Sequence, residues 1–220
     1  MNKEVQKFVV LGILFVFPVL IYLFFASGKN NFSTLPILSN AVHEITNWPT
    51  HRGDSIQLES HITVLGFWGK NVDRKRGDAL NLNQKIYKRF YEFQDFQFVM
   101  VLSEGQQKSV GQLQKELMEG VGTDLIKWNF IYGDSLAIQK LFKSLKTPLR
   151  LDSSWSHPSV FIIDKERNLR GRDDDEDQTV LYGFNAQSVA EINNKMVDDV
   201  KVILAEYRRA LKKYNSPKAK

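Results

Sequence analysis

No cysteine occurs among the 220 residues. That single absence removes disulfide staples, thiolate nucleophiles, thiolate metal ligands and lipid attachment through a cysteine. Histidine is scarce too, with four in the chain, and no two stand at the spacing of a paired metal motif. There is no glycine-rich phosphate loop and no nucleophile–base motif, so an enzyme of non-thiol chemistry has no recognisable signature. The 30 Lys and Arg against 25 Asp and Glu leave +5, of which Lys3 and Lys7 less Glu4 supply one. This reads as a mild excess spread along the chain. It lacks the clustered basic face that nucleic acid requires, so no nucleic-acid partner is expected.

What is present suffices for one domain and an appendage: 43% of residues are hydrophobic and 12% aromatic. The appendage is N-terminal. Phe8 to Ala26 is a run of 19 residues without a charge, about 28 Å long as a helix at ~1.5 Å per residue, and it matches the hydrocarbon core of a bilayer. A cleaved signal peptide has a shorter apolar core and ends at a small-x-small site, which Ala26-Ser27-Gly28 matches poorly. An uncleaved anchor over 8–26 is therefore expected, with Pro18 tolerated inside it. Residues 1–7, carrying Lys3 and Lys7, would stay cytoplasmic, and the large domain would face outward, on the periplasmic side of a bacterial-type inner membrane.

Residues 27–53 mix Gly, Asn, Ser and Pro with isolated apolar residues and read as a partly docking tether. His43 and His51 lie here and read as surface residues. A domain is expected over 54–213, followed by a flexible tail at 214–220. Its first elements are an edge strand at Ile56 and Leu58 and a buried strand from Ile62 to Trp68, with His61 at its start. Ala79, Leu82, Ile86, Phe90 and Phe93 then share one face of a helix. A strand at 96–102, a helix around Ser109 to Leu117 and a strand at 127–132 follow. Asp134 or Ser135 can cap a third helix carrying Leu136, Ile138, Leu141, Phe142 and Leu145.

Strand and helix alternate three times, which predicts an α/β fold whose mainly parallel sheet is covered on both faces. The end of the chain breaks the pattern. Ser159 to Asp164 is a buried strand, 165–168 a tight turn, and Leu169-Arg170-Gly171 an antiparallel return. Ser188 and Glu191 form a capping box. It opens a long helix with Val189, Ile192, Met196, Val200, Leu204, Tyr207 and Leu211 in one stripe.

The run from Asp54 to Trp68 resembles the start of thioredoxin-like domains, and His157-Pro158-Ser159 to Asp164 resembles their cis-proline segment. The anchor, Thr34-Leu35-Pro36, the inserted helix and strand, and Asn168 to Gly171 are similar to the Sco/SenC branch over roughly residues 34–210. That resemblance implies a thioredoxin-like fold, a mixed central sheet with helices on both faces, behind a transmembrane helix. It also implies a role in copper delivery to, and thiol reduction at, cytochrome oxidase. Sco-type proteins bind copper through a Cys-x-x-x-Cys pair between the first strand and helix, and a downstream histidine. Those cysteine positions fall on Asn71 and Lys75. His157 matches the histidine approximately, one residue closer to Asp164 than the pattern has, beside an expected cis bond to Pro158.

An amide and an ammonium cannot replace two soft thiolates, and disulfide exchange has no nucleophile. No catalytic residue and no cofactor are therefore expected; copper held by His157 without thiolates is the alternative. A protein partner remains, drawn from respiratory-oxidase assembly. The candidate binding mouth comprises Trp68, Lys70, Asn71, Arg74, Lys75, Arg76, His157 and Pro158. The acidic run Asp173 to Asp177 reads as a solvated loop rather than a divalent-cation site. It, or an acidic partner, is expected to approach the mouth.

Overall fold

The computed structural model describes residues 3–27, 34–122 and 124–215. Two compact units divide at Ser33/Thr34. The first contains helix α1, Lys3–Ser27, with Pro18 inside it. Its stretch Val5–Phe24 is long and apolar enough to cross a membrane.

The second unit is built on a central sheet. Its strands are β1 (Ile37–Ser39), β2 (Ile62–Gly69), β3 (Phe96–Ser103), β4 (Trp128–Gly133), β5 (Ser159–Ile163) and β6 (Leu169–Arg170). They run in the order β1-β6-β5-β2-β3-β4. β2, β3 and β4 are mutually parallel, whereas β5 is antiparallel to β2, and β6 to β5. A separate hairpin joins β7 (Arg172–Asp175) to β8 (Thr179–Leu181), and β9 (Phe184–Asn185) returns to β5. Parallel neighbours need crossovers, and these are helical. Helix α2 spans 72–90 as a 3-10 turn, Val72–Lys75, then α-helix, a π-turn at Asn83–Tyr87 and a last α-turn. Helix α3 is Gln107–Val121 and α4 is Ser135–Ser144. Helix α5 covers 189–215, with a second π-turn at Ile192–Met196.

The period-two alternation of the strands divides the core into two layers. Ile62, Val64 and Trp68 of β2, Phe98 and Met100 of β3, and Trp128 and Phe130 of β4 face α2, α3 and α5. Leu65, Phe67, Val99, Val101, Ile131 and Phe161 face the other way. That second layer has only one helix, α4, and the stretch read from sequence as a tether completes it: Val42, Ile45 and Leu58 are buried there. Both N-caps on the expected residues are present. Asp134 accepts from the N–H of Ala137 at 2.7 Å, and Ser188 from that of Glu191 at 3.2 Å. The Glu191 carboxylate accepts the N–H of Asn185 at 2.8 Å.

Other expectations are corrected. No strand forms at Ile56 and Leu58, because the Glu44 carboxylate takes the N–H groups of Leu58 and Glu59 that a ladder would need. The open edge of β4 is covered instead by 49–51, where His51 donates to Phe130 and Tyr132 to Pro49. Phe93 falls beyond the end of α2 and is 38% exposed; Leu136 and Val189 are also exposed on their helices. The side chain of Leu211 lies outside the described residues.

Arg170 ties the periphery together. It is 3% exposed, and its guanidinium donates to the Leu35 carbonyl at 2.8 Å, to Asp164 at 3.0 Å and to Glu206 at 2.7 Å. Burial alone would lower its pKa, but hydrogen bonds and charge from Asp164 and Glu206 outweigh this and raise it. Asp164 in turn caps the 165–168 turn by accepting from Glu166 and Asn168. Removing one partner of a buried pair leaves an uncompensated charge. Arg170→Ala is therefore expected to cost about 3–5 kcal/mol, read as a lower thermal midpoint. A midpoint equal to the parent's would refute this role.

Candidate functional site

The link from β2 to α2 is set by steric demands at Gly69. Its φ is +56°, and a Cβ there would lie 1.9 Å from the Ser154 carbonyl oxygen; only glycine permits both. The close approach lets the Lys70 N–H donate to that carbonyl at 2.9 Å. The 152–158 loop is held in place by Asp152, which accepts from the Ser154 N–H at 2.8 Å, the Ser154 hydroxyl at 2.7 Å and the Ser156 N–H at 2.9 Å. Burial works to raise the Asp152 pKa, but these bonds and the charge of Lys75 prevail and lower it. Trp155 takes a left-handed φ of +61°, a strained conformation for a bulky residue. Its ring lies 5.9 Å from the Lys70 ammonium.

Lys75 occupies the centre of this loop cluster. Only 7% exposed, it places Nζ 3.0 Å from Asp78 and 3.2 Å from the His157 carbonyl oxygen. The i,i+3 spacing sets lysine and aspartate on one helical face. Asn71 is half-buried at the helix start and makes no side-chain cap. Arg76 is engaged by Glu116 at 2.7 Å and Asp73 at 3.1 Å. Two cations of the expected mouth, Lys70 and Arg74, remain exposed, with Pro158 exposed as well.

Trp68 is a correction. Expected at the mouth, it is 1% exposed and packs against Trp128 and Phe130. It shares a face with Val64, and that face is roofed by α2 and α3.

His157 does reach the cluster. Its N–H donates to the Phe67 carbonyl at 2.9 Å, and its Nδ1 accepts the Ser159 N–H at 3.0 Å. The half-buried ring lies between Phe142 and Phe161. Burial chiefly, then the Lys75 charge, lowers its pKa, opposed by the Ser159 bond and Asp152. An accepting Nδ1 in a neutral ring puts the proton on Nε2. The His157–Pro158 bond, expected cis, is trans, as no described peptide bond is cis. Trans is the ordinary state of X–Pro bonds, and here the His157 carbonyl is held by Lys75.

The acidic run goes elsewhere. Asp175 is buried and bound by Lys195 at 2.7 Å, and Lys195 also binds Asp177. Among the described residues no ion pair links this run to the mouth, and no cluster could hold a metal ion.

No protein-family model and no curated protein sequence matches the chain. Solved structures do match. One is BsSco, a member of the Sco family of cytochrome c oxidase assembly proteins, at 14% identity and TM-score 0.53, covering 78% of this chain and 98% of that one. Another is a SCO1/SenC family lipoprotein from Bacillus anthracis, at 16% identity and TM-score 0.52, covering 78% and 99%. A candidate protein disulfide isomerase from Bacteroides thetaiotaomicron matches at 12% and 0.51, covering 81% and 98%. The fold is thioredoxin-like.

Within this thioredoxin-like fold, the donor set does not fit copper. Cuprous ion selects soft thiolates, and the chain has none. The ammonium of Lys75 sits within the loop cluster, and the Nε2 of His157 carries a proton where a ligand needs a lone pair. Thiol–disulfide exchange through cysteine is likewise absent. Two residues of the cluster were missed from the sequence, Asp152 and Trp155. Asp152 had a signal, since Asp-x-Ser marks an aspartate that accepts from the backbone two residues on; Trp155 had none.

Lys75→Met is expected to cost about 3–5 kcal/mol, because it strands the Asp78 carboxylate, whereas Lys75→Met with Asp78→Leu should recover most of it. Equal melting of the single and double variants would contradict this. The folded protein also holds His157 and His51 below their ordinary value of 6.5, so the unfolded chain protonates first on acidification. Their contribution to stability is full above that pH and is lost as pH falls below it. The thermal midpoint should drop from pH 7.5 to 5, and drop less in His157→Gln; an unchanged slope would speak against a buried neutral ring.

Proposed function

We propose that this chain is a membrane-anchored binding or assembly factor of Sco/SenC-like descent, without catalysis of its own, serving respiratory-oxidase or copper-site maturation. Helix α1 would anchor it in a bacterial-type inner membrane with the thioredoxin-like domain on the outer face. The observation that carries this reading is buried Lys75. At the position where the family resemblance places the second cysteine, its ammonium is neutralised by Asp78 and bonded to the His157 carbonyl. A group so satisfied stabilises the loop and leaves nothing to react.

Around it, Lys70, Arg74, Asn71, His157 and Pro158 would form the contact surface for a protein partner carrying acidic groups. The likeness to BsSco and to the Bacillus anthracis lipoprotein supports the descent. Weak copper binding through His157 is the second reading. It would require the ring to give up the Nδ1 bond to Ser159 or the Nε2 proton.

A cuprous titration of the full chain in detergent separates the two. No binding at micromolar copper, with His157→Ala unchanged, is the expected result; stoichiometric binding lost in His157→Ala would overturn the proposal. Crosslinking in native membranes should capture oxidase subunits or their assembly proteins. Lys70→Ser with Arg74→Ser should weaken that capture, and full capture by the variant would remove the mouth from the interface.

A further inference from the structure

The positive charge, read above as a mild excess spread along the chain, is in fact concentrated at its end. Residues 201–220 hold Lys201, Arg208, Arg209, Lys212, Lys213, Lys218 and Lys220 against one acid, Glu206, a balance of +6 where the whole chain has +5. The preceding residues therefore sum to −1. Glu206 does not dilute the group, because its carboxylate is bound by buried Arg170 at 2.7 Å. Lys201 pairs with Asp198 at 2.8 Å, but both side chains are mostly exposed, where such pairs are weak and screened.

The final stretch of α5 is also two-sided. Ile203 and Leu204 are buried, whereas Lys201, Ala205, Arg208 and Arg209 are exposed. Positions 201, 205, 208 and 212 recur at helical spacing, which sets them on one face. Beside that face is a groove of about 360 Å³ between Phe90 and Phe93 on one wall and Leu204 and Ala205 on the other, rimmed by Lys201 and Arg208. Phe93, the residue that falls off the end of α2, is its exposed aromatic wall. An apolar slot with a cationic rim suits a ligand that is anionic at one end and hydrocarbon beneath.

We propose that the basic face of α5, with the Phe93 groove, docks on an anionic phospholipid surface, the rim taking phosphate groups and the groove taking the hydrocarbon just below them. The chain itself supplies the reason to favour a membrane over an acidic protein. Val5–Phe24 is long and apolar enough to span one, and residues 28–33 can extend only ~20 Å at ~3.3–3.6 Å each. Bilayer is thereby a ligand at high effective concentration. Clustered Lys and Arg on an amphipathic helix are attracted to anionic headgroups.

The absence of cysteine makes the test direct, because Ala205→Cys, an exposed position on that face, accepts a single spin label. The full chain is placed in nanodiscs of phosphatidylcholine, with or without phosphatidylglycerol. Accessibility of the label to a water-soluble relaxation agent is expected to fall several-fold only in the anionic discs, and to return at high salt. Arg208→Gln, Arg209→Gln, Lys212→Gln and Lys213→Gln together should reduce docking by more than ~10-fold, since each surface cation contributes roughly fivefold. Lys140→Gln with Lys143→Gln, on α4, should leave it intact, and both variants should melt as folded proteins. Equal accessibility in both lipids, protection that survives the four substitutions, or equal loss in the α4 variant would overturn the proposal. Protection in phosphatidylcholine discs that appears only with an added acidic protein would assign the face to a protein partner and overturn it as well.

Discussion

The Arg170 guanidinium is the constraint on which the second unit depends. Three segments remote in sequence meet at it: the Leu35 carbonyl, the Asp164 carboxylate and the Glu206 carboxylate. A buried cation must be paired or it destabilises strongly, so the N-terminal strap, the β5–β6 turn and the last long helix come into register together. β1 lies at one edge of the sheet, and Lys201, Arg208 and Arg209 of α5 are exposed.

Lys75 and Asp78 repeat this logic at the loop cluster. A redox thioredoxin-like site needs a reactive group held at a strand-to-helix turn, in reach of the loop opposite. Here Gly69 allows the close approach of Ser154 to the β2–α2 turn, and His157 lies in the loop opposite. The difference is chemical. An ammonium satisfied by a carboxylate and a carbonyl holds helix and loop together as a fixed polar joint.

Sequence reasoning succeeded where each residue's role is decided by its near neighbours. The β2, β3, β4 and β5 strands are continuous apolar runs, α4 and α5 begin at Asp134 and Ser188, and both caps are made as their spacing suggests. It failed between residues 34 and 58. Val42, Ile45 and Leu58 follow no period, yet they fill the layer that α4 alone cannot cover. Trp68 failed for a related reason: a residue at the end of a buried strand can point into the mouth or the core, and only the helix above decides.

The sequence by itself determined the absence of thiol chemistry, the apolar span and the order of the main strands and helices. These are properties of composition and short-range periodicity. Only the tertiary structure decided that Lys75 is buried, that Arg76 and the acidic run are occupied, and that Val42 and Ile45 of the partly docking tether are core residues. Each of these depends on partners far away in the chain, as His157 is from Lys75 or Lys195 from Asp175. A charge's role is fixed by what desolvates and pairs it, and that is a matter of three-dimensional neighbours.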